Sequence, residues 1–146
     1  TLDACKGKTL ATNHAKDAKF VDRIVSGDAF DLADFQLVET TRPVQTLKAV
    51  IDGEAECALV DDSQVLAMGT VEGGLLLRPL WSSTKMPAVL VVTFGSAPAE
   101  QVQSFTTNIE AMCEGDGRAA CDAAGLKAPR RIEAGAFAAE QTAYEG

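Results

Sequence analysis

Aromatic and basic residues are scarce in this chain of 146 residues: aromatic side chains make up 5%, and 13 Lys and Arg stand against 21 Asp and Glu. The resulting formal charge of −8 repels polyanions, and no basic run or aromatic-studded basic face offsets it. Long apolar runs are also missing. The longest ones (57–60, 75–77 and 88–92) are far shorter than the roughly 20 residues of a membrane helix. The sequence therefore disfavours nucleic-acid binding and a membrane-spanning segment.

Motifs for catalysis, nucleotide binding and metal binding are absent as well. There is no G-x-S-x-G and no G-x-G-x-x-G, and Gly7-Lys8-Thr9 lacks both the earlier glycine and the following helix of a P-loop. With one histidine and no C-x-x-C, the cysteines do not form a zinc set of the usual spacing. We therefore expect neither a metal nor a cofactor. A small enzyme using His14 and Asp61 is the weakest of three functional hypotheses.

The chain does have the length and the apolar content (47%) of one domain with a real core. Its four cysteines suggest two bridges. Cys113 and Cys121 flank a glycine-containing turn, while Cys5 flanks the first predicted strand and Cys57 opens the third, which are neighbours if the sheet is parallel. We favour the pairs 5–57 and 113–121 and an oxidising compartment. The alternative is four buried thiols in a reducing cytosol.

Strand-like and helix-like segments alternate along the first 77 residues. The predicted strands are 8–12, 35–40, 57–60 and 75–77, and the predicted helices between them are 14–25, 43–51 and 63–68. This order predicts an α/β fold, a mostly parallel sheet flanked by helices. An antiparallel crossing strand (88–94) and C-terminal helices follow, the first starting near Pro98 and the last ending at Leu126. We expect one lobe over 1–126 and a weakly patterned tail over 127–146.

Polar loops follow the predicted strands, where open α/β sheets bind ligands. The candidate ligand residues are Thr12, Asn13, His14 and Lys16 after the first strand, Asp61 after the third, and Ser82 and Ser83 after the fourth. Lys16 and Lys19 lie in the first turn of a predicted helix, where a cation costs about 0.3–1 kcal/mol unless an anion binds there. Helix capping and simple solvation remain alternatives, because capping uses the same residue types.

Three segments resemble the second lobe of periplasmic substrate-binding proteins of ABC transporters, and their phosphate/phosphonate-type family in particular. They are LDACKGKTLATNHAKDAKFVDRIVSG, TLKAVIDGEAECALVDDSQV and PLWSSTKMPAVLVVTFGSAPAEQVQSFTTNIEAMCEGDGRAACDAAGL. By position, 12–14 match the family's ligand-contacting loop, Asp61 the aspartate of its A-D-A-A-x-V-D segment, and Ser82-Ser83 its hinge. The phosphonate subgroup typically has an S-x-S-G run in its first loop, and this chain has residues 12–16 (Thr-Asn-His-Ala-Lys) at that position.

The resemblance implies two lobes that close on a small ligand and deliver it to a membrane permease. This chain is long enough for one such lobe, so it is either an excised lobe or a stand-alone relative that has lost transport. We expect a non-catalytic lobe that contributes half of a cleft for a small polar or anionic solute. It would be periplasmic or secreted, with a lipid anchor as an option in the full-length precursor. The alternative is an interaction domain on the same fold that docks a protein partner.

Overall fold

The computed structural model describes residues 1–84, 90, 92–123, 125–127, 129–133 and 135–146. The chain divides into two compact units, one formed by 1–86 with 138–146 and the other by 87–137. The first unit contains the sheet, and the second is built from helical segments. The lobe boundary predicted at residue 126 stays a prediction.

Three parallel strands form the sheet of the first unit. They are β1 (Thr9–Thr12), β2 (Gln36–Glu39) and β3 (Cys57–Leu59), in the spatial order β2-β1-β3. The register pairs Thr12 with Glu39 on one side and with Leu59 on the other. The predicted α/β class and the parallel pairing of the first three strands are therefore confirmed.

The helices of this unit lie where the apolar spacing predicts them. Between β1 and β2 the chain forms a 3₁₀ turn (Ala15–Asp17), helix α1 (Ala18–Phe20) and a π-helical turn (Val21–Val25). Helix α2 (Pro43–Ile51) begins at a proline, whose fixed φ suits the first helical position. Helix α3 (Asp62–Ala67) follows β3. Further 3₁₀ turns are Leu2–Ala4, Leu32–Asp34, Met68–Thr70 and Gly74–Leu76.

Apolar residues cover the sheet on both faces, because successive side chains of β1 point in opposite directions. Leu10 packs in one cluster with Val21, from the connection between β1 and β2. Ala11 packs in a second cluster with Ala49, from α2 in the connection between β2 and β3. The connection from β1 to β2 and the connection from β2 to β3 therefore cover opposite faces of the sheet. The remaining buried members of the first cluster are Cys5, Phe30, Leu32 and Phe35.

Two disulfide bonds join the cysteines in the predicted pairs. Cys5 and Cys57 are linked across a Cα–Cα distance of 6.1 Å in the first unit. Cys113 and Cys121 are linked across 5.6 Å in the second unit. Disulfides of this kind are typical of oxidising compartments. Within the described part of the chain, no helix is both long and apolar enough to cross a membrane.

The predicted fourth strand, 75–77, is wrong. Gly74–Leu76 form a 3₁₀ turn instead, and Leu75 and Leu76 are exposed. Gly73 adopts a φ of +80°, and a Cβ on Gly74 would overlap the Met68 carbonyl. The two glycines therefore fold the chain back on the preceding turn before a strand can form.

The predicted crossing strand, 88–94, lies in part outside the described residues, which omit 88, 89 and 91. Leu90 and 92–94 are described, and they form no strand. The predicted helix after Pro98 is present as α4 (Ala99–Asn108), which continues into a 3₁₀ turn (Ile109–Ala111). Another 3₁₀ turn (Gly115–Gly117) leads to α5 (Arg118–Ala123), the predicted small-residue helix.

The predicted tail contains helix α6 (Ala138–Glu145), which belongs to the first unit. Lys19 Nζ lies 4.7 Å from the centre of the Tyr144 ring, a cation–π distance. The Arg23 guanidinium donates a hydrogen bond to the Ala143 carbonyl at 3.5 Å. The end of the chain is thus attached to the connection between β1 and β2.

Candidate functional site

The strand order places a topological switch point between β1 and β3. From β1 the chain connects to β2 on one side of β1. From β2 it then crosses over β1 to reach β3 on the other side, so the direction of winding changes at β1. Ligands of open α/β sheets bind at such a switch point. Because Thr12 is paired with Leu59, the loops that begin at Asn13 and Val60 leave the sheet at the same level. These loops carry Asn13, His14 and Asp61.

A chain of hydroxyl groups orients the Asn13 side chain. The Thr46 hydroxyl donates to Asn13 Oδ1 at 3.4 Å, and it lies 2.6 Å from the Thr40 hydroxyl. Since Thr46 gives its proton to Asn13, the Thr40 hydroxyl is the donor of the shorter bond. Thr46 is fully buried, which fixes this arrangement. Within the described part of the chain, the Asn13 amide nitrogen has no hydrogen-bond partner, so its two N–H groups remain available.

Thr12 holds the shape of the loop instead of facing a ligand. Its side chain is fully buried, and its hydroxyl oxygen accepts a hydrogen bond from the backbone N–H of His14 at 3.1 Å. Its carbonyl accepts another from the N–H of Thr40 at 3.0 Å, which extends the pairing of β1 with β2 by one residue. His14 is half-buried at the start of the following 3₁₀ turn. Thr12 therefore positions Asn13 and His14.

Asp61 begins helix α3 through a reciprocal pair of hydrogen bonds with Gln64. Asp61 Oδ1 accepts from the Gln64 backbone N–H at 3.0 Å, and Gln64 Oε1 accepts from the Asp61 N–H at 2.9 Å. Gln64 is 2% exposed, and its amide nitrogen donates to the Pro43 carbonyl at 2.8 Å. The start of α3 is thereby joined to the start of α2. The Ser63 hydroxyl donates to Asp61 Oδ1 at 2.6 Å.

The pKa of the Asp61 carboxyl is lowered by its surroundings. Burial would raise the pKa of Asp61, but hydrogen bonds from the Ser63 hydroxyl and from the N–H groups of Gln64 and Ser63, with the charge of His14, lower it on balance. A carboxylate with a lowered pKa is a weaker base at neutral pH. This arrangement does not support the hypothesis of acid–base catalysis by His14 and Asp61. Asp61 adds a hydrogen-bond acceptor whose pKa is affected by the charge of His14.

Lys16 is exposed, and the reason for expecting an anion beside it is weakened. Its 3₁₀ turn has only three residues, and Asp17 caps α1 by accepting from the Phe20 N–H at 3.2 Å. A turn of this length has little macrodipole. The neighbouring Lys19 lies over the Tyr144 ring, which explains its position without a ligand. A ligand contact by Lys16 stays a prediction.

Ser82 and Ser83 follow a residue that packs away from the loops after β1 and β3. The preceding Trp81 packs edge-on against Phe30 with ring centres 5.2 Å apart, and Phe30 packs against Phe35, which precedes β2. This environment is at the amino end of β2. The Ser82 hydroxyl donates to the Ser83 carbonyl at 3.4 Å. Among the described residues, no hydrogen bond joins either serine to the loops after β1 and β3, so their role as ligand residues stays a prediction.

Three positioning residues are missing from the sequence-based set: Thr40, Thr46 and Gln64. The D-x-x-Q spacing of Asp61 and Gln64 is a capping-box signature, which would have identified Gln64. Thr46 has no comparable signal. Its contact with Asn13 joins residues 33 positions apart and depends on the strand register.

The arrangement offers side chains that can hydrogen-bond a small ligand. Asn13 and His14 offer donors, and Asp61 offers an acceptor. In the residues that the structure describes, no group of three or more His, Cys, Asp or Glu side chains could hold a metal ion. No protein-family model matches this sequence, and a search of curated proteins finds no match.

Proposed function

We propose that the first unit is a non-catalytic solute-binding lobe that holds a small polar or anionic ligand at the switch point between β1 and β3. The observation that carries this proposal is the orientation of Asn13, whose oxygen is bound by Thr46 and whose amide N–H groups are left for a ligand. The resemblance to the second lobe of phosphate/phosphonate-type binding proteins supports the same position. So does the parallel sheet with its switch point at β1.

The charges around the switch point narrow the ligand class. The Asn13 amide and the His14 ring are hydrogen-bond donors and suit the oxygens of an oxyanion. The Asp61 carboxylate repels a fully ionised dianion, but it accepts a hydrogen bond from a ligand that still carries a proton. A monoanion that keeps at least one P–OH group, such as dihydrogen phosphate or a phosphonate monoanion, can accept hydrogen bonds from Asn13 and His14 and donate one to Asp61.

A single lobe is expected to bind this ligand weakly. Small-molecule sites cover roughly 70–90% of the ligand surface, and one lobe leaves the opposite side of the ligand in water. In the proposed function, a first lobe supplies the opposing contacts by hinge closure, and a permease accepts the solute. The two disulfide bonds support a periplasmic or secreted location.

An NMR titration of the ¹⁵N-labelled chain with inorganic phosphate tests the proposal. We expect the amide signals of Asn13 and His14 to move with a millimolar dissociation constant. Binding should tighten as the pH falls from 8 to 6, because more of the phosphate is then the monoanion. Asn13→Asp should weaken binding about tenfold or more, since it replaces the donors with a negative charge. Thr46→Val should weaken binding less, by releasing the Asn13 side chain.

Asn108→Asp is the matched control, because it makes the same change on α4, where the Asn108 amide donates to the Ser104 carbonyl. This variant should bind phosphate as the parent chain does. Signals at Asn13 and His14 that do not move at high phosphate concentration would contradict the proposal. Micromolar affinity for phosphate would contradict the proposal that this lobe supplies only half of the binding site.

A further inference from the structure

Three leucines of the first unit are almost fully exposed. Leu66 is 81% exposed, Leu75 81% and Leu76 84%. Leu66 lies near the end of α3, and Gly69 follows it in the next 3₁₀ turn. Leu75 Cδ2 is 4.0 Å from the position that a Cβ on Gly69 would occupy. Single exposed leucines are ordinary, but leucines that share one part of the surface indicate an interaction site.

A closely packed turn presents two of these leucines to solvent. A Cβ on Gly73 would lie 2.8 Å from Ile51 Cγ2 of α2, and one on Gly74 would overlap the Met68 carbonyl. The chain therefore packs tightly on both sides of this turn. Leu75 and Leu76 are presented by a well-packed backbone, and their exposure does not come from loose structure.

The surroundings of the leucines are acidic. The sequence has six acidic residues and no basic residue between Lys48 and Arg78: Asp52, Glu54, Glu56, Asp61, Asp62 and Glu72. Glu56 is paired with Lys8 at 3.3 Å, and Asp61 caps α3 and belongs to the solute site, so neither is assigned to the leucines. Asp62 and Leu66 are four residues apart on α3, and such residues are neighbours on one helix face. Glu72 is three residues before Leu75. Both carboxylates are exposed.

We propose that this leucine patch (Leu66, Leu75 and Leu76 with Asp62 and Glu72) docks a protein segment whose apolar side chains are flanked by lysine or arginine. The acidic residues around the leucines favour a basic partner over a second copy of this chain. A second copy of the chain would bring acidic residues against acidic residues, and each copy has a net charge of −8. Three leucines also form a patch of only a few hundred Å², while a stable dimer buries about 1,000 Å² or more. The patch contains none of the proposed solute-site residues Asn13, His14 and Asp61.

Fluorescence anisotropy with a labelled amphipathic helix built from Leu and Lys tests the proposal. We expect saturable binding to the parent chain. Leu75→Ser with Leu76→Ser should weaken it about tenfold or more, and these exposed positions can change without loss of the fold. Phe94→Ser is the matched control, since Phe94 is also 81% exposed but belongs to the second unit. Its affinity should equal that of the parent chain.

The charge requirement is tested with the same assay. Asp62→Asn with Glu72→Gln should weaken binding several-fold and reduce its dependence on salt. A helix with Glu in place of Lys should not bind. Equal binding of the two helices, or equal loss in the Phe94 variant, would overturn the proposal. A dimer in sedimentation that dissociates when Leu75 and Leu76 are replaced would also overturn it and identify a second copy as the occupant.

Discussion

The two units of the chain differ in what holds them together. Among the residues that the structure describes, twelve apolar residues are buried, and ten of them lie in the first unit, around the sheet. The two in the second unit are Cys113 and Cys121, which are bonded to each other. Helix α4 of that unit contains no buried residue. Since chain entropy must be offset by burial or by cross-links, the first unit depends on its core as well as a disulfide, and the second depends mainly on its disulfide.

The largest expected effect is the loss of the Cys5–Cys57 bond. It closes a loop with a sequence separation of 52, for which the loop-entropy relation gives about 4 kcal/mol. Cys5→Ser with Cys57→Ser should therefore lower the free energy of unfolding of the first unit by about that amount. Denaturant unfolding followed by Trp81, the single tryptophan of the chain, measures it. An unchanged midpoint would show that the sheet core suffices alone.

The second test removes the Cys113–Cys121 bond. Its sequence separation of 8 corresponds to a stabilisation of only about 2.5 kcal/mol by the same relation. The loss of structure in the second unit should nevertheless be greater than the loss caused in the first unit by removing Cys5–Cys57, because no other buried residue is described in the second unit. Cys113→Ser with Cys121→Ser should abolish hydrogen-exchange protection in α5 and leave the Trp81 transition unchanged. Protected amides in α5 of this variant would contradict the conclusion that the second unit depends mainly on its disulfide.

The smallest expected effect is local and lies within the first unit. Asp61→Ala removes the cap of α3 and should cost about 1 kcal/mol at pH 7. Because the pKa of Asp61 is lowered by folding, its contribution is present above the ordinary value of about 3.9 and is lost as the pH falls below it. The difference between variant and parent should therefore shrink in acid. Asp62→Ala is the control and should cost less, and an equal cost for both would exclude the capping role.

The elements of the first unit follow from local sequence signals. Pro43 marks the start of α2, and the apolar run at 57–60 predicts a strand covered on both faces, which forms over Cys57–Leu59. The triplet Leu75–Leu77 has a similar apolar character but forms no strand. Its conformation is decided by the close packing of Gly73 on Ile51 and of Gly74 on Met68, which the local pattern does not contain. The disulfide pairs follow from strand adjacency and turn length.

The candidate site follows from the sequence only in part. The parallel topology predicts that the loops with Asn13 and Asp61 meet, since they follow strands that flank one switch point. The contact of Thr46 with Asn13 is not predictable in this way, because it depends on how α2 is placed against β1. The predicted position of Ser82 depends on a fourth strand, which does not form. Side-chain roles that depend on long-range packing therefore required the structure.

The covalent link between Cys5 and Cys57 encloses β1, α1, β2 and α2 within one ring of the chain. A protease that cuts this ring once, for example at the exposed Asp28 with its φ of +70°, leaves both products attached to each other. The nicked protein would keep its mass apart from one added water until a reductant separates the pieces. New termini engineered in the same loop would be tethered in the same way, so this segment is a suitable place to open the chain for circular permutation.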